Sequence, residues 1–183
     1  MPFALRRGYA KTFSRRGGGA GRGVVLGGVH SSVERALAAY DRTRLTICAI
    51  GSHSALAGAA GARAAGLRNL IVTARGREQS YARHYARVEA PVPRGCVDET
   101  IALDAFADVL DDAVQERLFA SNAIFVPNRS FEVYLHQRYS YAQIEERMRI
   151  PFFGNRALLR AEERDESGNQ YALMEAAGIR YPH

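Results

Sequence analysis

Short apolar runs rich in β-branched residues alternate with longer amphipathic stretches along most of the chain. Runs of four to six such residues, closed by glycine, proline or a polar turn, are typical of buried strands. The predicted strands are 45–50, 69–73, 99–103, 123–126 and 150–153.

Helical patterns separate these strands. Ser31 and Glu34 have the spacing of a capping box and precede a helix with the apolar residues Leu37 and Tyr40. Apolar residues recur every four positions through 106–118, which predicts one amphipathic helix there. The other predicted helices are 54–65, 78–85, 131–148 with a break near 139–140, 156–163 and 168–177.

This alternation predicts an α/β fold, a Rossmann-like and mostly parallel open sheet with helices on both faces. Strands that alternate with helices are joined by right-handed crossovers, which place the helices over the sheet. In such sheets, ligands bind beyond the carboxyl ends of the strands, where the strand order reverses. We therefore expect a binding site among the residues that follow the strands.

Composition indicates one globular domain, and the distribution of charge sets the amino terminus apart from the rest of the chain. The chain has 183 residues, 47% of them hydrophobic, and a net charge of +6. The first 23 residues hold six basic and no acidic residues, so 19 basic residues face 19 acidic ones in the remainder. This neutral remainder argues against a general nucleic-acid partner.

Residues 1–28 carry eight of the 17 glycines and no apolar pattern, which predicts a disordered basic tail. The tail is similar to a transit peptide, but an early start codon or a non-specific arm would look the same. No apolar run is long enough to cross a membrane, and two cysteines are too few for a disulfide framework. We therefore expect a cytoplasmic protein that does not bind membranes.

The first predicted strand is followed by the residues Gly51, Ser52, His53 and Ser54. Ser54 can begin a helix, whose first backbone N–H groups have no partner within the helix and attract anions. His53 could donate a hydrogen bond to the same anion. A capped helix with an incidental histidine is the alternative, and neither a G-x-G-x-x-G nor a P-loop motif is present.

Three other predicted strands are followed by polar or basic residues. Arg75 and Arg77 flank a glycine, Ser130 follows the fourth strand, and Arg156 follows the fifth. Guanidinium groups bind phosphate in bidentate fashion, although each arginine alone could be a solvated surface charge. Together these positions predict one pocket for an anionic ligand. The histidines lack the spacing of metal ligands, and the acidic stretch 162–166 is typical of a solvated helix end.

Several motifs in order resemble those of the archaeal formate-dependent ligase of purine biosynthesis, formaminoimidazole-carboxamide ribotide synthetase, of the ATP-grasp superfamily. The resemblance covers 45–183 and is to the amino-terminal half of the family. The motifs are Gly51-Ser52-His53-Ser54-Ala55-Leu56, Arg75-Gly76-Arg77-Glu78, Asn122-Ala123-Ile124-Phe125-Val126-Pro127, Phe153-Gly154-Asn155-Arg156 and Ala177-Gly178-Ile179-Arg180-Tyr181-Pro182.

The resemblance implies a function in IMP biosynthesis. The family uses ATP to couple formate to the amine of aminoimidazole-carboxamide ribotide, through formyl phosphate, and so forms a carbon–nitrogen bond. His53 and Ser130 match positions that contact the ribotide. Ser52, Ser54, Arg75, Arg77 and Arg156 are added as substrate-binding candidates by position and charge; no catalytic residue is assigned.

Two departures from the family pattern change what we expect this chain to do. Members read Pro-His-Gly-Ser-Phe where this chain has Asn128 and Arg129 before Ser130, which suggests a paralogous branch. The chain ends where the ATP-grasp portion should begin, so the ligands of ATP and Mg²⁺ are expected outside it. We thus expect a tail (1–28), a pre-ATP-grasp domain (29–178) and the start of a truncated portion (179–183).

We expect such a chain to bind ribotide and to be inactive alone, its full-length family assembling as homo-oligomers that also bind formate and ATP. A stand-alone nucleotide-monophosphate binding or regulatory module is the alternative. An RNA-binding protein is a third reading, supported only by the basic tail.

Overall fold

The computed structural model describes residues 34–128, 131–156, 159, 161 and 164–182. Within them, four parallel strands form one sheet in the order β3-β2-β1-β4. The strands are β1 (Thr46–Ile50), β2 (Arg68–Ala74), β3 (Glu99–Leu103) and β4 (Ala123–Phe125). The predicted α/β class and parallel sheet are confirmed.

The chain builds the sheet outward from β1 and then returns to its other side. Thr46 of β1 pairs with Arg68 of β2 on one side and with Ala123 of β4 on the other. The strand order therefore reverses between β1 and β4, and the crevice beyond their carboxyl ends is the place where such sheets bind ligands.

The helices cover the sheet unequally. They are α1 (34–39), α2 (Ala55–Ala64), α3 (Asp112–Ala120), α4 (Phe131–His136), α5 (Tyr141–Arg147) and α6 (Gln170–Ala176), with a π-helical turn at Ser80–His84 and a 3₁₀ turn at Phe106–Leu110. One core joins Cys48, Ile50 and Leu70 to α3, α4 and α5. The second core, under α2, is built mainly from small residues such as Ala55 and Ala59, which let that helix approach the sheet closely.

The helix predicted over 106–118 is divided in two. The 3₁₀ turn ends at Leu110, Asp111 is extended (φ −70°, ψ 142°), and α3 begins at Asp112. Val109 and Leu110 are both fully buried, and the break turns both side chains inward. The buried Gln115 side chain then donates to the carbonyl of Val109 over 2.7 Å, which replaces a lost helical partner.

The fifth predicted strand is reduced to one bridge between Phe152 and Phe125 of β4. Phe125 N–H donates to Pro151 over 2.8 Å, and Phe153 N–H donates to Phe125 over 2.7 Å. Pro151 has no N–H to extend the ladder, and Gly154 turns the chain at φ +96°. The prediction of a strand here was wrong in extent, although the segment lies beside β4.

Two other features of the helix prediction agree with the structure. The break near 139–140 is confirmed, because Ser140 caps α5 and forms a capping box with Gln143. The helix predicted over 168–177 is α6, which follows the Asn169 cap. Ser31, the tail and much of 156–163 lie outside the described residues. None of the helices in the described ranges has the length and apolar character needed to cross a membrane.

Candidate functional site

The exit of β1 is a tight turn in which Gly51 lies close against two side chains. Gly51 N–H donates to Val72 over 2.6 Å. A β-carbon on Gly51 would lie 2.8 Å from a ring carbon of Tyr81 and 3.0 Å from a methyl carbon of Thr73. His53 adopts φ +24°, a conformation that is uncommon for a side-chain-bearing residue and more frequent at functional sites.

Two of the predicted site residues at this turn are exposed, and one is buried. His53 and Ser54 are exposed at the start of α2, whereas Ser52 is only 4% exposed. Ser54 precedes α2 but makes no side-chain cap, and no acidic residue lies in the first turn of that helix. Ala55 N–H donates to the carbonyl of Ser52 over 2.8 Å, so the N–H groups of Leu56 and Ala57 are those suited to an anion beside His53.

Asn128 joins the exit of β4 to that of β1. Its side-chain amide donates to the carbonyl of Ile50 over 3.0 Å and to that of Ser52 over 2.9 Å. These two bonds hold the two strand exits together at the point where the strand order reverses. The sequence analysis noted Asn128 only as a departure from a motif; a polar residue just after a strand that flanks the reversal was the available signal.

Ser130 and Arg129 lie outside the described residues. Their neighbour Phe131 is fully buried against Phe125, with ring centroids 4.8 Å apart. On the described sides of these two residues, Phe131 N–H donates to the carbonyl of Asn128 over 3.0 Å. A contact from Ser130 to the ribotide stays a prediction.

A polar cluster unites Ser52, Tyr134 and Arg77. A guanidinium nitrogen of Arg77 lies 3.4 Å from the Tyr134 hydroxyl. Hydrogen bonds from Ser52 and then from Arg77 lower the pKa of Tyr134 below its ordinary value. Tyr134, on α4, was missed by the sequence analysis because a tyrosine in a helical pattern more often packs in a core.

The structure separates the two arginines of the Arg75-Gly76-Arg77 motif. The Nε and a terminal nitrogen of Arg75 lie 2.7 and 2.5 Å from one carboxylate oxygen of Asp104. Both of these side chains are more than three-quarters exposed. Arg75 is thus paired at the surface, whereas Arg77 belongs to the cluster with Tyr134.

Arg156 is buried and bonds backbone carbonyls, which corrects its interpretation as an anion ligand. The residue is only 9% exposed, and its terminal nitrogens donate to the carbonyls of Met148 and Ile150 over 2.5 and 3.1 Å. A third bond of 3.1 Å reaches the carbonyl of Glu145. Burial lowers the pKa of Arg156 from its ordinary value. Its donors tie α5 to the segment beside β4.

Two clefts border the site. One, of about 310 Å³, lies beyond the ends of β2 and β3 and is lined by Arg77, Phe106, Tyr134, Gln137 and Arg138 among others. The other, of about 150 Å³, lies between the first turns of α2 and the segment after β4 and includes Ser54 and Asn128. In the described part of the chain, no group of three or more metal-ligating side chains converges.

Comparison with known proteins identifies the family of the chain. Residues 47–183 match the model of a family described as a protein of unknown function, DUF1246. The chain belongs to the DUF1246 family. This match covers every described strand except the first residue of β1.

The relatives of this DUF1246 chain carry a common name. A 5-formaminoimidazole-4-carboxamide-1-(beta)-D-ribofuranosyl 5'-monophosphate synthetase from Methanopyrus kandleri is 39% identical over 146 residues, which is 80% of this chain and 36% of the relative. The same-named protein of Methanosphaera stadtmanae is 36% identical over 144 residues, 78% of this chain and 35% of the relative. The chain thus matches about a third of the length of these curated relatives.

A solved structure supports the fold. The crystal structure of the IMP biosynthesis protein PurP from Thermococcus kodakaraensis superposes with a TM-score of 0.53 at 27% identity, over 75% of this chain and 38% of that one. The resemblance to the synthetase family is therefore confirmed.

Proposed function

We propose that the chain is the ribotide-binding amino-terminal half of an ATP- and formate-dependent ligase. The whole ligase would formylate the amine of aminoimidazole-carboxamide ribotide in IMP biosynthesis. The names of the relatives support this assignment, and the chain matches only about a third of their length. The remaining portion would supply the residues that bind ATP and Mg²⁺.

The observation that carries the proposal is the convergence at the reversal between β1 and β4. Asn128 fixes the two strand exits, His53 is exposed beside unpaired N–H groups of α2, and Ser52 connects the turn to Tyr134. A ribotide presents both a charged phosphate and neutral polar groups, and this edge offers N–H, imidazole and hydroxyl partners for them.

The role of His53 is to hold a ligand oxygen at the start of α2. His53 is exposed at the exit of β1 with a φ of +24°, and its imidazole makes no hydrogen bond to another residue of the described part of the chain. An imidazole N–H can donate to a phosphate or carboxamide oxygen. This bond and those of the helix N–H groups would act on the same end of the ligand.

Calorimetric titration with the ribotide and its nucleoside tests the proposal. We expect the wild-type chain to prefer the ribotide, and His53→Ala to weaken ribotide binding by about tenfold or more, since a ligand oxygen left without its donor costs roughly 1–3 kcal/mol. His84→Ala, an exposed histidine that lines neither cleft, is the matched control. Equal affinity for ribotide and nucleoside would contradict ribotide recognition.

Complementation tests the ligase assignment separately from binding. The chain is mixed with the separately expressed carboxyl-terminal portion of the Methanopyrus kandleri relative, ATP, Mg²⁺ and formate. Formylated ribotide in the mixture, and in neither half alone, supports half of a ligase. Ribotide binding without product from a folded, ATP-binding partner would instead favour a stand-alone binding module.

A further inference from the structure

Arginines near the ends of β2 and β3 differ in whether a carboxylate neutralises them. Arg75 pairs with Asp104, and Arg138 pairs with Asp108, each over 2.5 Å. Arg77 has no carboxylate oxygen within ion-pair distance among the residues that the structure describes. Arg77 is therefore the cation here whose charge is open to an external anion.

Aromatic rings hold Arg77 in place instead of a counter-charge. Its guanidinium carbon lies 5.5 Å from the centroid of the Phe106 ring and 5.7 Å from that of Tyr134. Such cation–π contacts fix a guanidinium without using its hydrogen-bonding edge. A side chain that is already positioned loses less conformational entropy when a ligand binds, which favours affinity.

The Tyr134 hydroxyl supplies a second donor at the same place. Arg77 can only donate, so the Tyr134 oxygen accepts from it over 3.4 Å. The lowered pKa of Tyr134 agrees with acceptance of a second hydrogen bond from Ser52. Because the phenol oxygen accepts from Arg77, the phenol proton can be donated to an external acceptor.

We propose that the cleft between Arg77, Phe106 and Tyr134 binds the phosphate monoester of the ligand, with the Arg77 guanidinium and the Tyr134 hydroxyl as its donors. The cleft has a volume of about 310 Å³, which is ample for a phosphate group and its waters. Gln137, on its lining, offers a further polar side chain. This inference rests on the proposed function and deepens it.

The position of Ser52 gives the ligand a direction. The Ser52 carbonyl accepts from Asn128 over 2.9 Å, and Ser52 also lowers the pKa of Tyr134, which places Ser52 between the phosphate cleft and the β1–β4 crevice. The phosphate would sit on the Arg77 side, and the sugar and heterocycle would extend toward His53 and Asn128. The start of α2 would then face the carboxamide end of the ligand rather than its phosphate.

Two arginine variants separate this inference from non-specific charge. Arg77→Met and Arg75→Met remove the same charge two residues apart, but only Arg77 belongs to the cleft. In calorimetric titration, we expect Arg77→Met to lose at least tenfold in ribotide affinity and nothing in nucleoside affinity. Arg75→Met should stay within about twofold of wild type for both ligands.

Further variants keep the test decisive if Arg77→Met folds poorly. Arg77→Lys keeps the charge but loses the planar fork, and should also lose most of the preference for ribotide over nucleoside. Tyr134→Phe keeps the ring against Arg77 and removes only the hydroxyl, so it should lower ribotide affinity several-fold. Circular dichroism verifies the fold of each variant.

The outcomes distinguish the two proposals. If the wild-type chain prefers the ribotide and folded Arg77→Lys and Tyr134→Phe keep that preference in full, the phosphate lies elsewhere and only this inference is overturned. If wild type binds ribotide and nucleoside equally, the proposed function and this inference are both overturned. Loss of the preference in the Arg77 variants but not in Arg75→Met supports the cleft.

Discussion

At the scale of single residues, similar side chains have unlike roles because their surroundings differ. Arg75 is exposed and paired with Asp104, whereas Arg156 is buried and donates to three backbone carbonyls. An exposed ion pair stabilises a protein little, since water and salt screen it. Buried carbonyls that lose their donor are costly, because no water replaces it.

These roles predict a stability difference between two matched substitutions. Arg156→Met should lower the free energy of unfolding by about 2–4 kcal/mol, because it leaves buried carbonyls without partners. Arg75→Met should change it much less, because water and salt screen an exposed ion pair. Urea unfolding followed by circular dichroism measures both. Equal effects of the two substitutions would show that the bonds of Arg156 contribute no more than a surface pair.

At the scale of elements, a helix or strand begins or ends where a side chain bonds a free backbone group or where a glycine allows the turn. Ser140 begins α5 by accepting from Gln143 N–H over 3.3 Å, and the pattern of polar residues predicted that break. Gln115 allows the break before α3 by bonding Val109, a contact that local periodicity does not report. Caps are encoded locally, whereas a buried amide is explained only by what packs around it.

Two glycines with similar backbone angles provide a prediction about the turns. Gly66 after α2 has φ +74° and open space at the β-carbon position, whereas Gly95 has φ +67° and would place a β-carbon 2.0 Å from the carbonyl oxygen of Ala86. Gly66→Ala should cost only the strain of a left-handed conformation, about 1–2 kcal/mol. Gly95→Ala should cost clearly more, because backbone must move.

Urea unfolding of both variants at one pH compares these costs. Fluorescence of the native tyrosines provides a second probe of the same transition. If Gly95→Ala is no less stable than Gly66→Ala, then the segment around Ala86 yields to the added methyl group without loss.

At the scale of the whole molecule, one sheet with unequal faces organises the fold and the site. The central position of β1 makes its exit the meeting point of the residues after β2 and β4 and of those on α4. The earliest described residues in the buried core are Ala36 and Tyr40, and the Tyr40 hydroxyl donates to Ala123 over 2.9 Å. The segment from 34 onward therefore contains contacts that the sheet needs.

Removal of residues 1–28 should leave folding and ribotide binding intact. The expected melting temperature stays within a few degrees of the full chain, since about 1 kcal/mol shifts a domain of this size by that amount. Differential scanning calorimetry and titration of both forms provide the measurement, and a version that starts at residue 41, and so lacks Tyr40, is the destabilised control. A large loss of stability on removal of 1–28 would reveal a packed tail.

The sequence by itself determined the α/β class, the four strands of the sheet and most helix positions, and it predicted a site at the carboxyl ends of the strands. These features follow from periodicity, turn residues and caps, which act over a few neighbouring positions. Only the tertiary structure decided that Arg77 faces Tyr134, that Arg75 pairs with Asp104 and that Arg156 supports the core. Those partners lie 57, 29 and 6–11 positions away, in elements that the fold brings together. A long polar side chain points toward the partner with which it can form a hydrogen bond once it is desolvated. When the fold brings that partner from elsewhere in the chain, no local sequence pattern predicts it.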